Sequence, residues 1–143
     1  YIEGLNILSS MRMCANVPCQ SAIQTALGGY QSIDDLVKEN GRLRIQRDVT
    51  TDMLNGIDGI SCVKPKGAMY CFAKVDEKKF NIQNDEQMVL DLLSSEKILL
   101  VHGRAFNLTE GTYFRLVFLP HSDVLVPALH RIGNFFRTYK QGA

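Results

Sequence analysis

The apolar residues in the first part of the chain recur at helical spacing. Residues 1–14 carry one such stripe, which predicts a helix with a single buried face. Its members are Ile2, Leu5, Leu8 and either Met11 or Met13. A second helix is predicted from Pro18 to Leu27, because proline suits the first turn of a helix and the Gly28-Gly29 pair ends it. No capping residue precedes the first stripe, which is typical of a segment cut from something longer.

A third helical pattern begins at Ser32 and continues to Asn55-Gly56, which makes it the longest helix that the sequence predicts. Two aspartates lie in its first turn, where negative charge is favourable. Its apolar positions are Leu36, Leu43, Val49 and Met53. Gly41 is the weak point of this helix, because an interior glycine costs about 1 kcal/mol relative to alanine. The sequence therefore allows a kink or break near Asn40-Gly41.

Beyond Gly56 the apolar residues group into short runs that are typical of strands. The predicted strands are Ile60–Val63, Ala68–Ala73, Ile98–Val101 and the stretch Gly111–Pro120. The run Ile98–Val101 is continuously apolar, as expected of a strand that is covered on both faces. Residues His102–Gly111 connect it to the last strand. This connection is too long for a tight hairpin, and loops of this size often contribute to functional sites.

Two further helices are predicted in this half of the chain. Asn84 and Gln87 form a candidate capping box, and a buried stripe follows them. That stripe consists of Met88, Val89, Leu92 and Leu93. The last helix opens at Ser122 or Asp123 and carries a stripe made of Leu125, Leu129, Ile132, Phe136 and Tyr139. Pro127 falls just past the first turn if Ser122 is the cap, which favours a start a few residues later.

The order of these elements defines a fold class. Helices come first, and strand, strand, helix, strand, strand and helix follow. This order predicts an α+β fold in which helices pack on one face of a small sheet, preceded by further helices.

The strand in Gly111–Pro120 carries one charge that a covered strand should not carry, on Arg115. Alternation places Phe114, Leu116 and Phe118 on one face and Arg115 on the other with Tyr113, Val117 and Leu119. A guanidinium keeps its charge in a protein, so a buried arginine needs an anionic partner, and its planar fork suits a carboxylate or a phosphate. The partner is either a ligand or one of the chain's own carboxylates. A third alternative is an edge position from which the side chain reaches water.

The amino-acid composition of the chain limits the classes of function that it could have. At 143 residues the chain has the size of one domain, and 45% hydrophobic with 22% charged residues is ordinary for a globular protein. The net charge is +1, and no cluster of Lys or Arg has the density of a nucleic-acid or membrane surface. Arg42, Arg44 and Arg47 are close in sequence but fan around a helix, so we interpret them as a solvated face. The sequence thus predicts neither a nucleic-acid nor a membrane partner.

No apolar run approaches the roughly 18 residues that span a bilayer, and no basic leader opens the sequence, which favours the cytoplasm. Three histidines and four cysteines lack zinc-ligand spacing, so no metal site is predicted. The cysteines are Cys14, Cys19, Cys62 and Cys71. We expect reduced and mostly buried thiols.

Four motifs, in order, resemble the C-terminal part of the class I/II, fold-type I, pyridoxal-phosphate-dependent aminotransferases. They are Asn16–Leu27, Lys64–Tyr70, Leu99–Phe106 and Tyr113–Pro120. Members of the bacterial glutamate–pyruvate (alanine) aminotransferase group also read similarly through residues 11–18 and 26–33. Each motif alone is a weak signal, but their order and spacing are specific and cover essentially the whole chain.

This resemblance implies a role for Arg115. In the family, the arginine of the motif that matches Tyr113–Pro120 binds the α-carboxylate of the amino-acid substrate, which makes Arg115 the candidate substrate-binding residue. A bidentate guanidinium on a rigid strand would orient the substrate against the cofactor ring. The loop that matches Val101–Phe106 lies near the mouth of the family's site, but His102 is assigned no chemical role.

The same resemblance implies what this chain lacks. The family's Schiff-base lysine and its cofactor-binding groups lie upstream of the segment that matches Tyr1, and none of Lys38, Lys64, Lys66 or Lys97 matches the lysine motif. No catalytic or cofactor-binding residue is therefore assigned within the chain, and the chain alone is expected to be inactive. Residues 1–31 are expected to belong to the end of a large cofactor domain, and residues 32–143 to form the small domain.

The implied function is transfer of an amino group between an amino acid, alanine or glutamate, and a 2-oxo acid, pyruvate or 2-oxoglutarate, with pyridoxal 5'-phosphate as cofactor. Family members build each active site at a subunit boundary, so a homodimer is expected for the full-length enzyme. Another member of the family, such as an aromatic or aspartate aminotransferase, is a further alternative. A different class also stays open at this point, namely a free-standing α+β module that binds a small carboxylate through Arg115.

Overall fold

The computed structural model describes residues 1–12 and 15–142, and it divides the chain into two compact units, Tyr1–Asp35 and Leu36–Ala143. The first unit contains helices α1 (Ile2–Ser10) and α2 (Val17–Gly28). Asn16 caps α2, because its side chain accepts a hydrogen bond from the Cys19 N–H at 3.2 Å. The predicted second helix is thereby confirmed.

The predicted buried face of the first helix is not buried in this chain. Neither α1 nor α2 has a buried residue, and the side chains of Leu5 and Leu8 are 47% and 63% exposed. Met13, one of the two residues proposed to extend the stripe, lies outside the described residues, as does Cys14.

A helix, α3 (Ser32–Val37), joins the two units along the sequence. The second unit then contains helices α4 (Arg42–Asn55), α5 (Glu77–Phe80), α6 (Asp85–Glu96) and α7 (Ser122–Thr138). Its strands are β1 (Ile60–Cys62), β2 (Tyr70–Val75), β3 (Val101–His102) and β4 (Thr112–Val117), and a 3₁₀ turn spans Gly103–Phe106.

The four strands form one antiparallel sheet in the order β1-β2-β4-β3. One face of the sheet contributes Cys71, Ala73, Phe114 and Leu116 to a core that also holds Leu54 of α4 and the apolar faces of α6 and α7. The largest buried members of this core are Leu54, Phe80, Met88, Leu92, Phe118, Leu129 and Ile132. The predicted α+β class, with helices on one face of a small sheet, is confirmed.

Strand β4 alternates as predicted, but only one of its faces is covered. Phe114 and Leu116 are buried, whereas Tyr113 and Arg115 are half-buried and Val117 is exposed. The interpretation of this segment as a strand buried on both faces is therefore wrong for this chain. The helices occupy a single face of the sheet, which leaves the face of Arg115 open.

The longest predicted helix is two helices, because residues 38–41 separate α3 from α4. Gly41 adopts an extended conformation and precedes α4, in keeping with its weakness inside a helix. The longest helix among the described residues is α7, with 17 residues. The core-facing side of α4 also differs from the predicted stripe. Its buried residues are Gln46, Thr50, Thr51 and Leu54.

Most of the run Ile98–Val101 is not a strand. Only Val101 and His102 pair with β4, and Leu99 is 74% exposed. Because β3 lies at the edge of the sheet, it has one neighbouring strand instead of two. The prediction of a strand covered on both faces is therefore wrong.

The last helix begins at Ser122, so the predicted later start is also wrong. Pro127 lies inside α7, where its missing N–H affects only the Asp123 carbonyl in the first turn, next to solvent. The buried stripe of this helix is confirmed for Leu125, Leu129, Ile132 and Phe136, while Tyr139 follows as the C-terminal cap and is half-buried.

Asn84 caps α6 as predicted, since its side chain accepts hydrogen bonds from the N–H groups of Glu86 and Gln87 at 2.9 and 3.2 Å. The reciprocal half of the capping box is absent. The Asn84 N–H donates to Gln141 Oε1 at 2.9 Å, and the Gln87 amide donates to Asp91 instead.

Candidate carboxylate-binding site

Strands β2 and β4 place Arg115 among aromatic side chains on the open face of the sheet. In the strand register Arg115 lies opposite Phe72. Tyr113 lies two residues before Arg115 on β4, and Tyr70 lies two residues before Phe72 on β2, so both side chains share the face of Arg115. Phe106 reaches the same place from the 3₁₀ turn. We call Tyr70, Phe72, Phe106 and Tyr113 the aromatic face.

The guanidinium of Arg115 lies between two rings of the aromatic face. Its Cζ atom is 4.7 Å from the ring centroid of Tyr70 and 4.7 Å from that of Phe106. A guanidinium over an aromatic ring is attracted by the negative face of the ring, and the attraction increases as water is excluded. The two contacts therefore restrict the position of the Arg115 head group.

The remaining rings support this arrangement. Phe72 stacks on Tyr113 with centroids 5.3 Å apart, and Phe106 meets Phe72 edge-on at 5.8 Å. Both geometries are favourable for aromatic pairs. Phe106, Phe72 and Tyr113 are thus a connected set of rings, and Tyr70 contacts Arg115 separately.

Arg115 has no acidic partner in the described part of the chain. No carboxylate of those residues lies within 4.0 Å of its guanidinium, and its Nε atom is buried without a hydrogen-bond partner. The alternative of an internal ion pair therefore does not describe this structure. The edge alternative also fails, because β4 pairs with β2 on one side and with β3 on the other.

These contacts leave the in-plane N–H donors of Arg115 as the groups that a ligand could use. Carboxylates bind a guanidinium in its plane through paired N–H bonds. An unpaired, half-buried cation is the arrangement that a bidentate carboxylate completes.

The 3₁₀ turn Gly103–Phe106 is fixed against β4 by close packing. A Cβ atom added to Gly103 would lie 3.1 Å from Cβ of Tyr113, so a side chain at this position would force the turn away from the strand. His102, which was assigned no role, is half-buried and places its Nδ1 atom 3.6 Å from Oδ1 of Asp85. Asp85 is itself buried at the start of α6.

The sequence singles out Arg115 as a candidate but does not indicate the residues that contact it. Tyr70 and Phe106 occur in two of the family-like motifs, and no local pattern in the sequence distinguishes Asp85. The alternation of β2 could have placed Tyr70 on the face of Arg115 once the register was known. No local pattern could have shown that Phe106, in a loop, reaches the same guanidinium.

Comparison with known proteins defines the class. A family model for aminotransferases of class I and II matches residues 1–132. The chain therefore belongs to the class I and II aminotransferases, and the resemblance noted in the sequence is confirmed. The alternative of a free-standing carboxylate-binding module is not favoured, since the match covers nearly the whole chain.

Within that class, the chain is 56% identical over 141 residues to the glutamate-pyruvate aminotransferase AlaA of Haemophilus influenzae, covering 99% of this chain and 35% of that protein. It is 53% identical to an alanine aminotransferase of Mycobacterium tuberculosis, covering 99% of this chain and 33% of the relative. The chain thus spans about a third of the length of these relatives.

Solved structures agree with the fold. An aminotransferase from Escherichia coli superposes with a TM-score of 0.85 at 53% identity, covering 99% of this chain and 35% of that structure. An alanine aminotransferase from Pyrococcus furiosus superposes with a TM-score of 0.76 at 34% identity, covering 94% of this chain and 33% of that structure.

Pyridoxal phosphate is the general cofactor of this family, which raises the question whether the residues on the open face of the sheet could bind it. The described groups around Arg115 are aromatic rings and one ammonium, that of Lys74, whose Nζ lies 6.0 Å from the Tyr113 ring centroid. These groups suit a carboxylate. They do not form a cradle for a phosphate, so the described residues do not by themselves fit the cofactor.

Two other properties of the described residues bear on function. None of their helices is long and apolar enough to cross a membrane. Their His, Cys, Asp and Glu side chains also form no group of three that could hold a metal ion.

Proposed function

We propose that this chain supplies the substrate-carboxylate site of a pyridoxal-phosphate-dependent aminotransferase that exchanges an amino group between alanine or glutamate and the 2-oxo acids pyruvate or 2-oxoglutarate. One observation carries the proposal. The Arg115 guanidinium is held between Tyr70 and Phe106 and has no acidic partner in the described chain. The printed names of the relatives, glutamate-pyruvate and alanine aminotransferases, support the choice of substrates.

In this proposal Arg115 binds the α-carboxylate of the amino acid through two parallel N–H bonds. The rings of Tyr70 and Phe106 contact the guanidinium, and its half-burial strengthens the charge pairing relative to bulk water. Fixing the carboxylate also fixes the direction of the Cα–H bond, and correct orientation is a large part of catalysis. Pyridoxal phosphate, when bound, supplies the electron sink for the transfer. Its binding groups are assigned to the part of such an enzyme that this chain does not match.

The proposal has three further parts, which concern the domains, the oligomeric state and the location of the enzyme. Residues 1–31 belong to the end of the large cofactor domain and residues 32–143 to the small domain. The enzyme acts as a homodimer. It is cytoplasmic, in keeping with the buried free thiols of Cys62 and Cys71.

The test is to replace Arg115 by alanine in an aminotransferase of the relatives' length that contains this chain. Removing one partner of a desolvated charge pair typically costs about 2–5 kcal/mol, so kcat/KM for alanine with 2-oxoglutarate should fall by about 30-fold to several thousand-fold. Arg131→Ala is the control, because that arginine is exposed and pairs with Glu96 on the opposite side of the sheet's core. An unchanged kcat/KM in Arg115→Ala would contradict the proposal.

A further inference from the structure

A second charged residue, Asp85, contacts the segment that carries Phe106. Asp85 is the first residue of α6, and only 2% of it is exposed. Carboxylates are almost never so deeply buried unless a partner compensates them. Its position at the start of a helix helps, since the helix dipole favours negative charge there.

The contacts of Asp85 all go to the segment that carries Phe106. Its Oδ2 accepts a hydrogen bond from the backbone N–H of Arg104 at 3.0 Å. Its Oδ1 lies 3.6 Å from Nδ1 of His102 and 3.6 Å from Nε of Arg104. The carboxylate therefore holds the start of the 3₁₀ turn from one side, while Gly103 packs against Tyr113 on the other.

Only one residue, Ala105, separates Arg104, whose N–H is anchored, from Phe106. The turn ends at Asn107, which adopts the left-handed conformation with φ 59°. Phe106 is 43% exposed, so packing alone does little to fix its ring. The position of its ring against Arg115 depends on the position of the turn, and the turn is attached to α6 through Asp85.

We propose that Asp85 is a positioning residue for the substrate-carboxylate site, which acts by fixing the 102–106 turn and thereby the Phe106 ring against the Arg115 guanidinium. This inference rests on the proposed function of Arg115. An apolar residue at position 85 would fill the same space at lower cost, because burying a carboxylate opposes folding unless it is paired. What the carboxylate adds is an acceptor for the N–H of the turn and a negative charge beside His102 and Arg104.

The experiment uses an aminotransferase of the relatives' length that contains this chain. Asp85→Ala should raise KM for alanine by about 3- to 30-fold, the range expected when a cation–π contact is lost, while kcat changes by less than about twofold. Asp85→Asn keeps an oxygen acceptor for the Arg104 N–H and should recover part of this loss. It also provides the test if the alanine variant fails to fold.

Asp91→Ala is the matched control. Asp91 lies on the same helix and accepts hydrogen bonds from Tyr139 and Gln87, away from the turn. Its removal should lower stability without raising KM. Amide hydrogen exchange gives a readout that is independent of activity. The peptide that contains residues 102–106 should exchange faster in Asp85→Ala and unchanged in Asp91→Ala.

A double-mutant cycle separates positioning from general stability. If Asp85 acts through Phe106, then Asp85→Asn should change KM by less than about twofold when Phe106 is already alanine. Equal effects of Asp85→Asn in both backgrounds, or an unchanged KM in folded Asp85→Asn and Asp85→Ala, would overturn the inference. Arg115→Ala distinguishes the two proposals. If Arg115→Ala leaves KM for alanine unchanged, the proposed function of Arg115 is refuted. If Arg115→Ala raises KM but the Asp85 variants do not, only the role of Asp85 is refuted.

Discussion

Gln141 and Asn84 exchange two hydrogen bonds across the end of the fold. The Asn84 N–H donates to Gln141 Oε1 at 2.9 Å, and Gln141 Nε2 donates back to the Asn84 carbonyl at 2.7 Å. The same Oε1 also accepts from the Gln83 N–H. A nearly buried side chain at the C-terminal end of the chain thus satisfies the backbone at the start of α6, the helix that begins with Asp85.

Gln141→Ala should therefore lower the free energy of unfolding by about 2–4 kcal/mol, because it removes three hydrogen bonds to the backbone of Gln83 and Asn84. Urea denaturation monitored by circular dichroism would measure the effect as a lower midpoint with an unchanged slope. Lys140→Ala, at the exposed neighbouring position, is the control. A midpoint equal to that of the unsubstituted chain would show that water replaces the amide without loss.

Substitution of Arg115 by lysine tests the shape of the cation separately from its charge. Lysine keeps the positive charge but lacks the planar fork that binds both carboxylate oxygens. In an aminotransferase that contains this chain, kcat/KM for alanine should lie between those of the unsubstituted enzyme and Arg115→Ala. The thermal midpoint should change little in either variant, because Arg115 has no ion pair among the described residues to lose. An unstable but kinetically normal variant would refute the carboxylate role.

Tyr70 offers a test of the ring contact. Tyr70→Phe keeps a ring 4.7 Å from the Arg115 guanidinium and should leave KM for alanine within about twofold. Tyr70→Leu keeps apolar bulk but removes the ring, and KM should rise by about 3- to 10-fold. Steady-state kinetics on the two variants would decide. If the leucine variant matched the phenylalanine variant, the Tyr70 ring would contribute packing rather than cation–π attraction.

The pH dependence of stability should show the bond between Tyr139 and Asp91. Burial raises the pKa of Tyr139 above its ordinary value of about 10, and the Asp91 carboxylate, which accepts the hydroxyl bond at 2.6 Å, raises this pKa further. A raised pKa in the folded state contributes stability that is complete below the unfolded pKa and is lost as the pH rises above it.

The stability advantage of the unsubstituted chain over Tyr139→Phe should accordingly be about 1–2 kcal/mol and constant between pH 7 and 9. It should shrink above about pH 10. Denaturation at three pH values would test this, with Tyr30→Phe as the control because Tyr30 is 79% exposed. An advantage that grew above pH 10 would have the wrong sign and would exclude this bond as its source.

Part of this fold could be predicted from the sequence for physical reasons. The alternation of β4 and the stripe of α7 were recoverable because large apolar residues repeat with the period of one element. The buried side of α4 was not, because Gln46 and Thr50 are polar. Gln46 lies there because its amide donates to the carbonyls of Leu119 and Pro120, which are distant in sequence.

The candidate site likewise has one part that the sequence could predict and one part that it could not. Arg115 stood out locally, since a charge in an apolar strand requires a partner. The contacts that hold it could not be predicted, because Phe106 reaches Arg115 through a turn that Asp85 anchors from a separate helix. Such a relationship exists only after the sheet order is known. It was the order of several motifs, rather than any one residue, that indicated the family.

The 143-residue chain on its own should show no aminotransferase activity. Its described residues offer a candidate carboxylate site at Arg115 but no cradle for the cofactor phosphate, and no lysine matches the family's motif. Purified chain should form pyruvate from alanine and 2-oxoglutarate no faster than pyridoxal phosphate alone, while an aminotransferase of the relatives' length is active in the same assay. A stoichiometric, dialysis-resistant absorbance band near the visible edge would contradict this expectation. Lys74→Arg would then show whether the lysine on the Arg115 face carries the cofactor, because arginine keeps the charge but cannot replace the amine.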